Sequence, residues 1–190
     1  PVTGERVVIA EHADVRRMLE GMKDQITAGR GMTLEAAVAL DQAAAGDEDA
    51  RKKVELLTPI VKAWCTDMAC EVTSTALQVF GGMGYIEETG IAQLFRDARI
   101  LPIYEGTNGI QAADLVFRKI IHDEGRTVNN YLGKLEGVVK AEDLEEVRKK
   151  TNEIIKSGYN KNTTLTSLLA YPYLKAISSL LAKKYTKKLV

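Results

Sequence analysis

Apolar residues recur every three or four positions along most of the chain, which is the period of an amphipathic α-helix. The first such stripe predicts a helix from Asp14, a suitable N-cap residue, to about Ala45. Gly29 and Gly31 fall inside this stripe and weaken the prediction, because glycine is a poor helix former. Residues 1–13 show no helical period and are expected to form an irregular lead-in.

A second long stripe predicts a helix from about Asp49 to Phe80, with a bend expected at Pro59. Its apolar positions again recur every three or four residues: Leu57, Val61, Trp64, Met68, Val72, Ala76 and Val79. The run Gly81-Gly82-Met83-Gly84 marks its end, because clustered glycines break helices.

Two shorter helices are predicted next, on either side of Pro102. One runs from Glu88 to about Ile100. The other begins near Glu105 or Gly106 and ends at Gly125.

Beyond this point the chain is richer in Lys, Glu, Asn and Thr, and three more helical stripes follow. We therefore predict an all-α fold. An up-down helical bundle occupies residues 14–124, and residues 125–190 form a small three-helix C-terminal appendage.

Charge and cysteine content limit the classes of function. The 190-residue chain has a formal net charge of zero, which argues against a nucleic-acid partner. No apolar run approaches the roughly 20 residues that span a bilayer. Cys65 and Cys70 imply neither a disulfide framework nor, without nearby histidines, a metal site. We expect a cytoplasmic protein, in the bacterial cytosol or alternatively the mitochondrial matrix.

Candidate chemistry is concentrated in residues 78–111. Glycines at Gly81, Gly82 and Gly84 allow either a tight helix-to-helix turn or the close approach of a ligand. Glu105 lies in a Pro-x-x-Glu-Gly-Thr turn, where a carboxylate can stabilise a helix N-terminus or act chemically. The residue pattern alone leaves both alternatives open.

Three motifs in this segment, in this order, resemble the C-terminal domain of the acyl-CoA dehydrogenases. They are Gln78-x-x-Gly81-Gly82-x-Gly84-Tyr85, Arg96-Asp97-Ala98-Arg99 and Ile103-Tyr104-Glu105-Gly106-Thr107-x-x-Ile110-Gln111. The resemblance covers roughly residues 11–121. Residues 126–190 are similar, less specifically, to an extra C-terminal module of a larger-subunit branch of that family.

The resemblance implies a role for each motif residue. Glu105 would be the catalytic base, which removes the α-proton of an acyl-CoA thioester while FAD takes the β-hydrogen as hydride. The other residues fall into two groups. Those expected to contact the cofactor are Gln78, Gly81, Gly82, Gly84 and Thr107, and those expected to line the substrate channel are Tyr104 and Gly106.

The resemblance also implies partners: an acyl-CoA substrate, an electron-transfer flavoprotein or similar acceptor, and a homodimer or homotetramer. Gly109 and Ala112 depart from the commoner family pattern, which puts cofactor contacts from those positions in doubt. The family's β-domain and the first C-terminal helix have no counterpart here. The chain is therefore expected to be an inactive fragment of a longer enzyme. The alternative is a non-catalytic helical module for protein interaction or oligomerisation.

Overall fold

The computed structural model describes residue 4 and residues 6–186, and every regular element in that part of the chain is helical. The predicted all-α class is confirmed. The predicted lead-in at residues 1–13 lies partly outside the described residues. None of the described helices is long and apolar enough to cross a membrane.

The main helices follow the apolar stripes closely. Short 3-10 turns lie at Ile9–Glu11 and Glu87–Thr89, and α5 continues without a break as π-helical turns over Asp114–Ile121. The α-helices are α1 (Ala13–Ala44), α2 (Glu48–Phe80), α3 (Gly82–Tyr85), α4 (Ile91–Ile100), α5 (Asn108–Ala113), α6 (Arg126–Gly133), α7 (Ala141–Tyr159) and α8 (Thr163–Lys183).

Several predicted helix starts were wrong by a few residues. The N-cap of α1 is His12 rather than Asp14, and α4 starts after Gly90, whose positive φ ends the preceding turn. The helix expected to begin at Glu105 or Gly106 begins at Asn108. Both earlier residues have positive φ, which a right-handed helix cannot contain.

Helices α1 and α2 form a long antiparallel pair. Gln25 in the first half of α1 donates to Glu71 late in α2, whereas Glu35 further along α1 pairs with Lys53 early in α2. The glycines inside α1 have a packing reason. A Cβ on Gly29 would lie 2.9 Å from the end of Met68, so the missing side chain lets the two helices approach closely.

The remaining long helices complete an up-down bundle. Asn108 at the start of α5 contacts the middle of α2, and Lys119, further along, pairs with Glu55 near the start of α2. Helices α7 and α8 also run antiparallel, since Thr151 is bonded to Tyr173 and Asp143 to Lys183. One hydrophobic core extends through α1, α2 and α5 to α8. Its largest fully buried side chains include Met32, Leu56, Ile60, Leu115, Leu132, Ile154, Tyr173 and Ile177.

Glu35 joins four parts of the bundle. Its carboxylate receives hydrogen bonds from the ammonium groups of Lys53 and Lys184, at 2.9 and 2.8 Å, and from the hydroxyls of Tyr131 and Tyr185. These residues lie on α2, beyond the end of α8, and on α6. The aromatic ring of Tyr185 also packs on Gly31, where a Cβ would lie 2.4 Å away. The cluster therefore fixes the C-terminal helices to α1.

The cluster strongly favours the ionised form of Glu35. Burial raises the pKa of Glu35, but hydrogen bonds from Lys184, Tyr185 and Lys53 and the charge of Lys184 outweigh it and lower the pKa to about 2. Burial and the nearby Glu35 charge raise the pKa of Tyr131, which stays a neutral donor. The hydrogen-bond donors therefore stabilise the ionised carboxylate, and its negative charge in turn balances the two ammonium groups.

Replacing Glu35 with glutamine is expected to lower the free energy of unfolding by about 2 kcal/mol at pH 7, because two ammonium groups lose their counter-charge. The folded pKa is depressed, so the contribution of Glu35 is fully present above its unfolded pKa of 4.5 and is lost as pH falls towards about 2. The stability difference between the two proteins should shrink over that window. Urea unfolding at several pH values measures it.

Glu145→Gln is the matched control, because Glu145 is an exposed carboxylate on α7 with no described partner. It should change stability by less than about 0.5 kcal/mol. Equal losses in the two variants, or a Glu35 effect independent of pH, would contradict this role for the cluster.

Candidate active site

The turn between α4 and α5 holds Glu105 in a strained conformation. Glu105 has φ of +53° and Gly106 has φ of +84°. A positive φ is costly for a residue with a Cβ, on the order of 1–2 kcal/mol. Such strain persists only where the surroundings enforce it, and it is concentrated at functional sites.

Asn108 anchors this turn to α2. Its side chain is only 5% exposed, and its Nδ2 donates to the Ala63 carbonyl, to Thr66 and, at 2.8 Å, to Asp67. Its backbone N–H donates to the Pro102 carbonyl at 3.1 Å and closes the loop that contains Glu105. The start of α5 is therefore held on the middle of α2.

Lys62 on α2 makes a second connection. Its ammonium group donates to the Gly106 carbonyl at 2.8 Å and to the Asn108 side-chain oxygen at 2.9 Å. Helix α2 thus holds the segment after Glu105 at two points, the Gly106 carbonyl and the Asn108 side chain.

The Glu105 side chain is left without a partner. It is exposed, and among the described residues it forms no hydrogen bond or ion pair. Its backbone N–H is also unpaired within that part of the chain. A carboxylate and an amide donor are therefore both available at this turn.

The neighbouring predicted site residues lie at the same turn. Tyr104 is 46% exposed, and Gly106 is half-buried beneath Gln111, whose Nε2 would lie 3.0 Å from a Cβ at Gly106. Thr107 is the N-cap of α5 and accepts from the Ile110 N–H at 3.3 Å. Its hydroxyl proton remains available to a further acceptor.

The glycine turn lies at the far end of α2. Gly81 has φ of +61° and ψ of −145°, a conformation close to one that essentially only glycine adopts. A Cβ on Gly81 or Gly82 would meet nothing within 4 Å, so bare backbone faces open space. Gly84 is different, because a Cβ there would lie 2.6 Å from the Leu77 carbonyl. Close packing against the Leu77 carbonyl therefore explains the glycine at position 84.

The structure does not bring the glycine turn to Glu105. The turn follows Phe80, whereas the Glu105 loop is held at Lys62, and the helix between Lys62 and Gln78 is about 24 Å long. Gln78 itself is exposed. The two groups of predicted site residues therefore form separate surfaces of one chain.

The Arg96-Asp97-Ala98-Arg99 motif has a structural role in this region. Arg96 forms a two-point ion pair with Glu87, at 2.7 and 2.9 Å, which ties α4 to the turn after the glycines. That pair lowers the pKa of the exposed Glu87 carboxyl. Cys70 donates to the Ala98 carbonyl at 3.3 Å and fixes α4 on α2.

The cysteines are free thiols, and burial raises the pKa of both Cys65 and Cys70. They are therefore protonated at neutral pH and poorly suited to be nucleophiles. Among the described residues, no group of His, Cys, Asp or Glu side chains is placed to hold a metal ion.

Lys62, Asp67 and Asn108 were missed as site residues by the sequence analysis. One signal was present. Lys62 and Asp67 are charged residues that interrupt the apolar run of α2 around Trp64 and Met68. A charged side chain within a helix face that packs on a neighbour requires a partner.

Comparison with known proteins identifies related sequences. A family profile described as "Acyl-CoA dehydrogenase, C-terminal domain" matches residues 3–120. The 3-methylmercaptopropionyl-CoA dehydrogenase of Ruegeria pomeroyi is 49% identical over 138 residues, which are 69% of this chain and 24% of that protein. A broad-specificity linear acyl-CoA dehydrogenase of Mycobacterium tuberculosis is 36% identical over 143 residues, 72% of this chain and 23% of that protein. The chain thus spans about a quarter of the length of these relatives.

Solved structures show the same fold. Bd2924 in its apo form matches with a TM-score of 0.73 at 24% identity, over 96% of this chain and 36% of that one. ACDH-11 of Caenorhabditis elegans, in complex with C11-CoA, matches with a TM-score of 0.67 at 22% identity, over 97% and 35%. The likeness therefore extends into the helices after residue 125.

Glu105→Gly is expected to raise the free energy of unfolding by about 1 kcal/mol, because glycine adopts positive φ without a Cβ clash. Glu105→Ala is the control. It removes the carboxylate but keeps the Cβ, and should stay within about 0.5 kcal/mol of the original protein. Thermal or urea unfolding measures both. If alanine stabilises the protein as much as glycine, backbone strain at Glu105 is not the cause.

Proposed function

The chain belongs to the acyl-CoA dehydrogenase family, and from this we propose that it supplies the catalytic base of an enzyme that oxidises acyl-CoA thioesters. The reaction would yield a trans-2-enoyl-CoA. The observation that carries the proposal is the Glu105 carboxylate, which is exposed, unpaired among the described residues and held on a strained turn.

Glu105 would act by removing the proton α to the thioester carbonyl. The proton passes to the carboxylate, the C–H electron pair becomes the new α,β double bond, and the β-hydrogen leaves with its electron pair. When bound, FAD supplies the acceptor for that hydride. A carboxylate with no other partner is free to turn towards the α-carbon, and positioned general bases contribute roughly 100- to 10,000-fold to such rates.

The same residue would also provide an amide donor. Negative charge grows on the thioester oxygen as the α-proton leaves, and a fixed N–H stabilises that charge. The Glu105 N–H meets the requirement, since no described residue accepts from it. Tyr104 and Gly106, at the same turn, would line the channel for the acyl thioester.

The predicted cofactor-contact residues fit a flavin in chemistry. The open backbone at Gly81 and Gly82 permits close approach of a diphosphate or a ring, and the exposed Gln78 amide is an uncommitted donor. Thr107 retains a hydroxyl proton beside the base. Contact from Gly84 remains a prediction, as do any effects of Gly109 and Ala112.

The separation of the two surfaces supports an oligomeric enzyme. The glycine turn of one chain would meet the flavin of a neighbouring subunit, while Glu105 serves the site of its own chain. A homodimer or homotetramer satisfies this requirement. An electron-transfer flavoprotein as acceptor, a cytoplasmic location and the division of the chain at residues 124 and 125 remain predictions.

The alternative of a non-catalytic interaction module is weaker on one specific point. A module that only docks on other helices gives no reason for a carboxylate that is unpaired among the described residues, on a strained turn held to α2. The exposure of Glu105 therefore supports the enzymatic proposal.

In the complete dehydrogenase that carries this chain, Glu105→Gln is expected to lower kcat by about 100- to 10,000-fold, because the amide cannot accept the α-proton. Flavin absorbance should be retained. Dye reduction with an acyl-CoA substrate measures turnover. Full activity in this variant would show that Glu105 is not the base.

The isolated 190-residue chain is expected neither to retain FAD nor to reduce a dye. It spans about a quarter of its relatives, and its own cofactor-contact residues are divided between two distant surfaces. An absorbance spectrum of the purified chain, with and without added FAD, tests this. Flavin absorbance that persists through gel filtration would contradict it.

A further inference from the structure

We propose that Lys62 is the positioning residue for the catalytic turn: its ammonium group holds the Gly106 carbonyl and thereby fixes the carboxylate and the amide N–H of Glu105. The inference rests on the proposed function, because positioning affects turnover only if Glu105 acts on a bound thioester. Lys62 itself would touch neither substrate nor cofactor.

The contacts of Lys62 span the turn. One hydrogen bond, of 2.8 Å, reaches the carbonyl of the residue directly after Glu105, and another, of 2.9 Å, reaches the Asn108 side chain. Charge-assisted hydrogen bonds of this length are stronger than those between neutral groups. The ammonium group therefore links the Gly106 backbone to the Asn108 side chain, which is anchored on α2.

Asn108 is held firmly on α2 and fixes the position of the Lys62 ammonium group through a hydrogen bond. Asn108 is buried, and its side-chain nitrogen donates to Ala63, Thr66 and Asp67. Its side-chain oxygen accepts from Lys62 and from the Thr66 hydroxyl. Asn108 alone, however, fixes only the start of α5. Within the described part of the chain, Lys62 makes the only hydrogen bond to the Gly106 backbone, and the adjacent Glu105 carbonyl accepts only a long one, of 3.5 Å, from Gln111.

Backbone strain makes this second anchor necessary. Glu105 and Gly106 both have positive φ, and the strained state competes with relaxed conformations unless contacts oppose the relaxation. Release of the Gly106 carbonyl would let the turn reorient. A displacement of about 1 Å at a reacting group can cost about 100-fold in rate.

The test uses Lys62→Met in the complete holoenzyme, because methionine keeps an apolar stem but removes every donor. We expect kcat to fall by about 10- to 100-fold, KM to change less than about threefold, and flavin content to stay the same. Lys62→Arg, which restores charged donors, should recover a large part of kcat. Lys52→Met is the matched control, since Lys52 is an exposed lysine of the same helix with no described partner.

A second readout does not depend on catalysis. Hydrogen–deuterium exchange in a peptide covering residues 101–108 should be at least about 10-fold faster in Lys62→Met, because the Tyr104 and Asn108 amides protected in the turn become exposed. Peptides from α1 should be unaffected. A role in overall stability alone would instead accelerate exchange in both places.

The outcomes separate this inference from the proposed function. If Glu105→Gln loses turnover while Lys62→Met keeps kcat and slow exchange in the turn, the positioning role is wrong and the base assignment stands. If Glu105→Gln remains fully active, the proposed function fails first. If Lys62→Met does not fold, Lys62→Gln carries the same measurements, and failure of both to fold would overturn the inference in favour of a purely structural lysine.

Discussion

The side-chain amide of Asn108 is the interaction on which the geometry of the site depends. It is nearly buried, and its hydrogen bonds connect the first residue of α5 to the middle of α2. The loop from Pro102 closes on the same residue through its backbone N–H. Because α2 packs along α1 over most of its length, Glu105 is positioned on the two longest helices of the bundle.

The carboxylates of Glu35 and Glu105 differ in the number of partners that surround them. Glu35 is surrounded by two ammonium groups and two hydroxyls. Burial raises its pKa, but hydrogen bonds from Lys184, Tyr185 and Lys53 outweigh burial and lower the pKa to about 2, which gives Glu35 a fixed structural role. The Glu105 side chain has no described partner, although Lys62 holds the carbonyl of the next residue, Gly106. A carboxylate surrounded by hydrogen-bond donors stabilises the fold. A carboxylate without such donors, on a turn that is held in place, can accept a proton from a substrate. The number of hydrogen-bond partners therefore separates the structural role of Glu35 from the proposed chemical role of Glu105.

The long helices could be predicted because their apolar stripes are long and regular, and even Pro59 does not interrupt α2. The start of α5 could not, because Glu105 and Gly106 have positive φ in a turn that Lys62 and Asn108 hold, and the contacts of those two residues join distant parts of the chain. The proposal that Glu105 is the base came from the resemblance of its motif to the family alone. The contacts that hold this turn on α2 arise from tertiary packing. In the sequence they are indicated only by the charged residues Lys62 and Asp67 within the apolar run of α2.

The most direct measurement of the central claim is α-hydrogen exchange in the complete dehydrogenase. An acyl-CoA analogue with sulfur in place of the β-carbon can lose an α-proton but cannot yield a β-hydride, so proton abstraction is observed alone. In deuterated water, mass spectrometry should show deuterium entering the α-position with the original enzyme and no enzyme-dependent exchange with Glu105→Gln. Equal exchange rates in the two proteins would contradict the assignment of Glu105 as the base.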